Sequence, residues 1–470
     1  MRDILPRVTA AIDVLVSVGA AYEGLFPSII DRGTNEMMRE VPPAIDGQRD
    51  GDRSPLGSNL IHDEALLKTM YALAASDGRT DYGQAADRYL RRFATHCART
   101  PTGILPWGEH AYWHLVEDRV GNSSDWRGST SPSTHDHLRQ APQWLLNQLY
   151  VFEPQSVIRF GEGLDGHWTD GEPEEYVRHA YIEDNRAYPR GDRSCDFPRH
   201  SGFYIFDWAF LYAKTGREDF SARLERMLDY WWPWRDEGGL LFSESRSPKE
   251  AVGFYNVNAP GQTLSLGVSL FESASLIENY APGLAKGMRD RAAVYIDGFL
   301  GAPHDYDRGL YILTCKRGSG EVVSASPIWG SHYGVWPASY VALTCLCGFG
   351  LTGDRRLLDF AESVGQGYLD QPFPRDVAVP AMDVGLGLGL LSDLYELTGR
   401  EEWLDGAQCL AQTLMDVYFE EDVALPRGAA SVEWYESQMG PSFLIHGLAK
   451  TALLARDGAP CVLETDYTAR

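Results

Sequence analysis

The chain has 470 residues, with 66 acidic against 42 basic side chains and a formal net charge of −24. That balance excludes a dedicated nucleic-acid binder, which needs a basic face for phosphates. It leaves room for an anionic small molecule at a local patch of opposite sign. At 44% hydrophobic and 23% charged, the chain can bury a large core and is not a disordered segment. The basic residues are lopsided, with 36 Arg to 6 Lys, a bias that genomic base composition explains most simply. The 12% aromatic content, with 13 Trp and 24 Tyr, serves core packing and also suits platforms for sugar rings.

At the N-terminus, Asp13 interrupts the apolar stretch of MRDILPRVTAAIDVLVSVGAAYEG, and Ile12, Leu15, Val16, Val18 and Ala21 trace one face of an amphipathic helix. No run of 18 apolar residues occurs, so no membrane-spanning segment is expected. A cytoplasmic location is the expectation, with export as the other option. Seven cysteines (97, 195, 315, 345, 347, 409 and 461) form no C-x-x-C pair, so they read as free thiols in a reducing compartment.

A unit then recurs along the chain: an apolar helix, a short glycine turn, and a second helix opening on acidic residues. Its turn glycines are Gly78, Gly216, Gly353 and Gly399. Glycine suits the helix C-cap, and the acidic opening suits the positive end of the next helix dipole. The last two glycines lie 46 residues apart and the other gaps are 138 and 137, each close to three such periods. Helical hairpins at this period close into a toroid or stack as a solenoid, and a solenoid shows tighter regularity. The expected fold is therefore all-α, one (α/α)6–7 toroid over residues 1–470. It carries long loops at Gly121–Ser133 and Gly161–Pro198 and a small β-hairpin from Gly309–Cys315 and Glu321–Ser324. GLGLGLL (Gly385–Leu391) follows no strand, so it reads as helix packing and not a dinucleotide loop.

Seven of the twelve histidines (110, 114, 135, 137, 167, 179 and 200) fall within 91 residues. Imidazole is both the commonest metal ligand and a natural acid–base group, so this clustering marks where chemistry sits. The motifs are WGEHAYWH (Trp107–His114), THDHLRQ (Thr134–Gln140), LDGHW (Leu164–Trp168) and DFPRHSG (Asp196–Gly202). The order of Glu and His in the first does not match the zincin HExxH.

This succession resembles the family 2 pectate lyases and their relatives over roughly residues 55 to 220. The resemblance implies an α/α toroid, a polygalacturonate-like substrate cleaved by β-elimination, and a divalent cation held by two His and one acidic residue. That cation would be manganese, or else calcium, nickel or zinc. Carried over by residue, His110 and His200 are the implied imidazole ligands and Arg199 the implied base. Asp136 is the acidic ligand where the family has Glu, with His137 as its substitute. The insert before Arg199 is longer than in the family, which bears on the subsites. Uronate carboxylates suit bidentate arginines, and Arg186, Arg190 and Arg193 lie just upstream, interleaved with Asp184, Asp192 and Asp196.

Elsewhere, His62, Asp63 and Glu64 open a helix and read as a cap. The implied substrate contacts are His137, His167, Trp168, Arg186, Tyr204, Asn256 of the amide-bearing FYNVNAPGQ, Lys316, and Trp329 with His332 of the aromatic run Ile328–Trp336. Glu433, Tyr435 and Glu436 offer carboxylates for a hydrolase, which needs a general acid and a base or nucleophile. Three functions follow from these readings. The first is a metal-assisted lyase acting on an anionic oligosaccharide, with no nucleic-acid or membrane partner, as a monomer or homodimer. The second is a metal-independent glycoside hydrolase or sugar epimerase on the same fold. The third is a non-catalytic carbohydrate-binding toroid.

Overall fold

The four turn glycines sit where hairpins reverse: Gly78, Gly216, Gly353 and Gly399 have φ of 68°, 68°, 71° and 67°, the left-handed region that suits a residue without Cβ. The computed structural model describes residues 4–122, 132–136, 139–172, 174–189, 197–243, 257–330 and 336–465. Among these, the helices are α1 (Ile4–Gly19), α2 (Leu60–Ser76), α3 (Thr80–Arg92), α4 (Gln143–Phe152), α5 (Pro154–Gly163), α6 (Pro198–Thr215) and α7 (Glu218–Trp231). They continue with α8 (Pro260–Ile277), α9 (Pro282–Leu300), α10 (Ala338–Thr352), α11 (Arg355–Asp370), α12 (Ala381–Thr398), α13 (Glu401–Tyr418) and α14 (Pro441–Asp457). Prolines at the first turns of α5, α6, α8, α9 and α14 preset φ where no backbone donor is needed.

Among the described residues α2/α3, α4/α5, α6/α7, α8/α9, α10/α11 and α12/α13 pair as six hairpins, and α14 packs on both α1 and α2, closing the (α/α) toroid. Inner and outer helices differ as the architecture requires. Inner α6 buries a continuous run from Pro198 to Tyr212, whereas outer α7 buries the single stripe Phe220, Leu224, Met227, Leu228 and Trp231. The gaps of 138 and 137 residues hold two hairpin steps each, not three. The surplus is loop: the α3–α4 and α5–α6 connections in the first gap and the α7–α8 and α9–α10 connections in the second carry short strands instead of helices.

The hairpin near residue 310 is present, Tyr311–Lys316 pairing antiparallel with Val322–Ser326. Gly385 packs against α14 so closely that an added Cβ would lie 2.3 Å from the Phe443 carbonyl carbon, as helix packing requires. Of the two expected loops, residues 123–131 of the first lie outside the described residues, as do 173 and 190–196 of the second. Gly161–Gly163, expected as loop, form the last turn of α5. The N-terminal helix with its short extension, Ile4–Tyr22, has a mean hydropathy of 1.6 and meets the length and composition of a membrane-crossing helix, contrary to expectation. In this fold it buries Ile4, Val8, Ala11, Ile12 and Leu15 in the main core.

Candidate active site

Three loop segments and the first turn of α6 converge at one mouth of the toroid. Strand Thr134–His135 pairs with Ala180–Tyr181, which sets Asp136 beside Arg178 and His179. Asp136 is 1% exposed. Its carboxylate meets His200 Nδ1 at 2.9 Å, Arg178 Nε at 3.2 Å and His179 Nε2 at 3.5 Å. Burial works against its charge, but His200, His179 and Arg178 outweigh that and hold the carboxyl well below its usual range. Burial also pushes the His200 imidazole down to about 4, so at neutral pH it is uncharged, with Nδ1 2.9 Å from an Asp136 carboxylate oxygen. Neither ring nitrogen of His200 has a hydrogen-bond partner among the described residues.

His110 reaches the same place on a backbone that only glycine allows. Gly108, at φ 102°, bridges to Asp136, and a Cβ there would stand 1.9 Å from the Asp136 carbonyl oxygen. His110 Nδ1 bonds the Gly51 carbonyl at 3.0 Å, so it carries the proton and Nε2 is the open nitrogen. The ring lies 5.1 Å from that of His179. Ligand atoms of His110, Asp136 and His179 all fall within 4.8 Å of one another. A second such group, Asp52, Glu109 and His110, adjoins it. Burial and then Glu109 push the Asp52 carboxyl up to about 7, against the pull of Arg49 and His110.

Arg199, in the first turn of α6, lies with its guanidinium 3.9 Å over the Trp336 ring, and Trp336 stacks on Tyr340 of α10 at 4.8 Å. Arg199 Nε and Nη1 have no hydrogen-bond partner among the described residues. Burial pulls its pKa down, assisted by Arg178 and opposed by Tyr340, Glu109 and Asp136. Farther toward the axis, Arg139 pairs with Glu64 of α2 at 3.3 Å. The N-terminal ends of α2, α6 and α10 thus frame a polar mouth, whose dipoles favour a bound anion.

The expected residues divide into three sets. His110, Asp136, Arg199 and His200 come together at the mouth, but among the described residues the groups that could hold a cation take His179, or Asp52 and Glu109, with His110 and do not include His200, the expected second imidazole ligand. His167, Trp168 and Tyr204 lie behind it, 0%, 5% and 0% exposed, in an aromatic layer where His167 stacks on Tyr204 at 4.5 Å and Arg226 covers Trp168 at 4.0 Å. Substrate contact is physically closed to that buried layer. Arg186 is exposed, stacked over Tyr181 and paired with Asp184 at 2.5 Å. Lys316 sits on the exposed hairpin, its ammonium bound to Glu321 at 2.7 Å, and Trp329 packs edge-on against Tyr368 at 4.7 Å. His137, Asn256 and His332 lie outside the described residues, as do Arg190, Arg193, Asp192 and Asp196. Glu433 pairs with Arg427 at 2.9 Å, and Glu436 forms a buried pair with Arg53 at 2.6 Å, so both serve structure. The helix-opening His62, Asp63 and Glu64 make no side-chain cap.

Sequence reasoning grouped His179 with the seven histidines but gave it no role. The signal was present: Arg178–His179 repeats the Arg–His dipeptide of Arg199–His200. Asp52 and Tyr340 carried no local signal, because only tertiary folding brings them here.

The donor set fits a divalent cation. Two imidazoles and one carboxylate converge with open positions, and backbone or carboxylate partners orient the rings. No family model and no curated protein matches this sequence. Among solved structures, a D-mannose isomerase is similar at 11% identity and a TM-score of 0.52, covering 80% of this chain and 99% of that one. A cellobiose 2-epimerase from Bacillus thermoamylovorans is 11% identical over 96% of this chain and 97% of its own, with a TM-score of 0.46. An unsaturated glucuronyl hydrolase from a Bacillus species is 11% identical over 99% of both chains, with a TM-score of 0.45. At 11% identity the likeness to the isomerase shows fold alone, an α/α toroid.

Proposed function

We propose that the protein is a carbohydrate-active enzyme, a lyase that cleaves a uronate-containing oligo- or polysaccharide by metal-assisted β-elimination. The observation that carries this reading is the convergence of His110, Asp136 and His179 within 4.8 Å. A divalent cation such as manganese, held there, supplies Lewis-acid stabilisation to charge on a uronate carboxylate, worth several kcal/mol. Arg199 is the residue for removing the proton α to that carboxylate, since its burial disfavours the charged guanidinium. The electrons left on carbon form the C=C bond as the β C–O bond breaks, and the departing sugar oxygen takes a proton. Arg178 fixes Asp136 and adds positive charge on the substrate side. Analogy to a toroid described as a D-mannose isomerase agrees with a sugar substrate, although fold does not determine chemistry.

A second reading rests on the Asp136–His200 pair. A neutral imidazole 2.9 Å from a buried carboxylate is a general base that needs no metal, as an epimerase or hydrolase would use. One assay separates the two. Pectate, alginate, glucuronan and glycosaminoglycans are incubated with the enzyme, and the ultraviolet absorbance of unsaturated product is followed. The lyase reading expects a signal that EDTA abolishes and manganese restores. A saturated or epimerised product that forms in EDTA overturns it in favour of the second.

A further inference from the structure

Behind the mouth runs a buried chain of side-chain hydrogen bonds. Trp107 Nε1 lies 3.0 Å from His135 Nε2, His135 Nδ1 lies 3.0 Å from His167 Nε2, and His167 Nδ1 lies 2.8 Å from the Val177 carbonyl. The proton positions follow from chemistry. An indole N–H only donates, so His135 Nε2 accepts and its proton sits on Nδ1. That proton faces His167 Nε2, which therefore accepts, leaving the His167 proton on Nδ1 to meet a carbonyl that can only accept. Both rings are neutral Nδ1–H tautomers, because a further proton on either would set two N–H groups, or an N–H and the indole, face to face. Both histidines are fully buried. His167 also accepts Val177 N–H on its own carbonyl at 2.8 Å, so Val177 is clamped from both sides.

The ends of this chain matter. Trp107 precedes Gly108–Glu109–His110, His135 precedes Asp136, and Val177 precedes Arg178–His179. Each link therefore falls next to one of the three segments that bring His110, Asp136 and His179 together. We infer that Trp107, His135 and His167 are positioning residues, a neutral tautomer-locked relay that holds the three ligand-bearing segments in register. The Tyr204 hydroxyl bonds the Arg178 carbonyl at 3.3 Å while its ring stacks on His167, which braces the same junction. The metal-affinity part of the inference rests on the proposed cation site; the tautomer part does not.

The test uses the full chain labelled with 15N-histidine. In the metal-free wild type, His135 and His167 are expected as Nδ1–H tautomers, with the proton on the nitrogen that free histidine less often protonates. Finding either ring protonated on Nε2, or on both nitrogens, overturns the relay. Two variants then separate positioning from packing. His167→Phe keeps the ring but loses both hydrogen bonds, whereas the amide of His167→Gln can accept from His135 and donate to Val177. The Phe variant is expected to bind Mn²⁺ about 10–100-fold more weakly, with His167→Gln restoring most of the affinity. Folded Phe and Gln variants with equal Mn²⁺ affinity overturn positioning. If wild type itself binds no Mn²⁺, the proposed cation site fails instead. The ring 15N signals of His200, whose Nδ1 lies 2.9 Å from Asp136, then read the position of that carboxylate, shifting in Phe but not Gln, and unmoved signals in Phe sink the relay.

Discussion

Two buried carboxylate environments in this molecule have opposite electrostatics. Asp136, on the loop framework of the mouth, is sealed from solvent yet held ionised because two imidazoles and a guanidinium face it. Asp63 on α2 and Asp383 on α12, in the wall of the toroid, are equally buried but face no such basic groups. Burial pushes Asp63 up to about 8 against one Tyr89 hydrogen bond, and burial alone pushes Asp383 well above its usual range. Desolvation is common to all three, so the basic groups around Asp136 decide. Protein that surrounds a buried carboxylate with basic groups and leaves imidazole lone pairs open spends stability on chemistry. The wall carboxylates instead ride neutral in packed helices.

The largest effect is expected from Asp136→Asn. Removing the charge strips the ligand set and takes away the carboxylate that the buried His200, His179 and Arg178 face, so turnover should fall at least about 10³-fold and stability by about 3–5 kcal/mol. Asp63→Asn should do neither at neutral pH, since it resembles the protonated side chain already present. Steady-state rates and denaturant midpoints for the two variants make or break the comparison.

Arg199→Gln should cost on the order of 10²–10⁴ in kcat, the usual reach of a general base. Its melting temperature should stay close to wild type, because Trp336 can stack on the amide, and full activity would remove Arg199 from the mechanism. Gly108→Ala tests the framework. Its Cβ cannot coexist with the Asp136 carbonyl at 1.9 Å, so Mn²⁺ affinity should drop by at least about tenfold as the two segments separate.

The smallest effect concerns pH. The Asp63 carboxyl is raised from 3.8 to about 8 on folding, so the folded state binds its proton more tightly than the unfolded chain. Its contribution is fully present below 3.8 and is lost as pH rises through about 8. Wild type should therefore lose several degrees of melting temperature across that window relative to Asp63→Asn, measured by scanning calorimetry. Parallel curves would show that Asp63 is not held neutral.

Much of this arrangement was legible in local sequence. Turn glycines with acidic helix openings marked four hairpins, because capping chemistry is local. Period counting overstated the hairpins between Gly78 and Gly353, since loop length is set by what the loops hold and not by helix geometry. In the site, short His motifs located His110, Asp136, Arg199 and His200. The tautomer relay, the Asp52–Glu109 pair and Arg199 over Trp336 depend on contacts across 28 to 137 residues of chain, which no spacing rule encodes. His167 and Trp168 illustrate the converse: a polar or aromatic motif beside a site can be its support and not its lining.

The most direct measurement of the central claim is electron spin-echo spectroscopy of Mn²⁺ titrated into the purified protein. The account predicts one bound ion per chain with 14N couplings from imidazole, diminished in His110→Ala and in His179→Ala. Manganese that stays fully hydrated, or couplings unchanged in both variants, would contradict it.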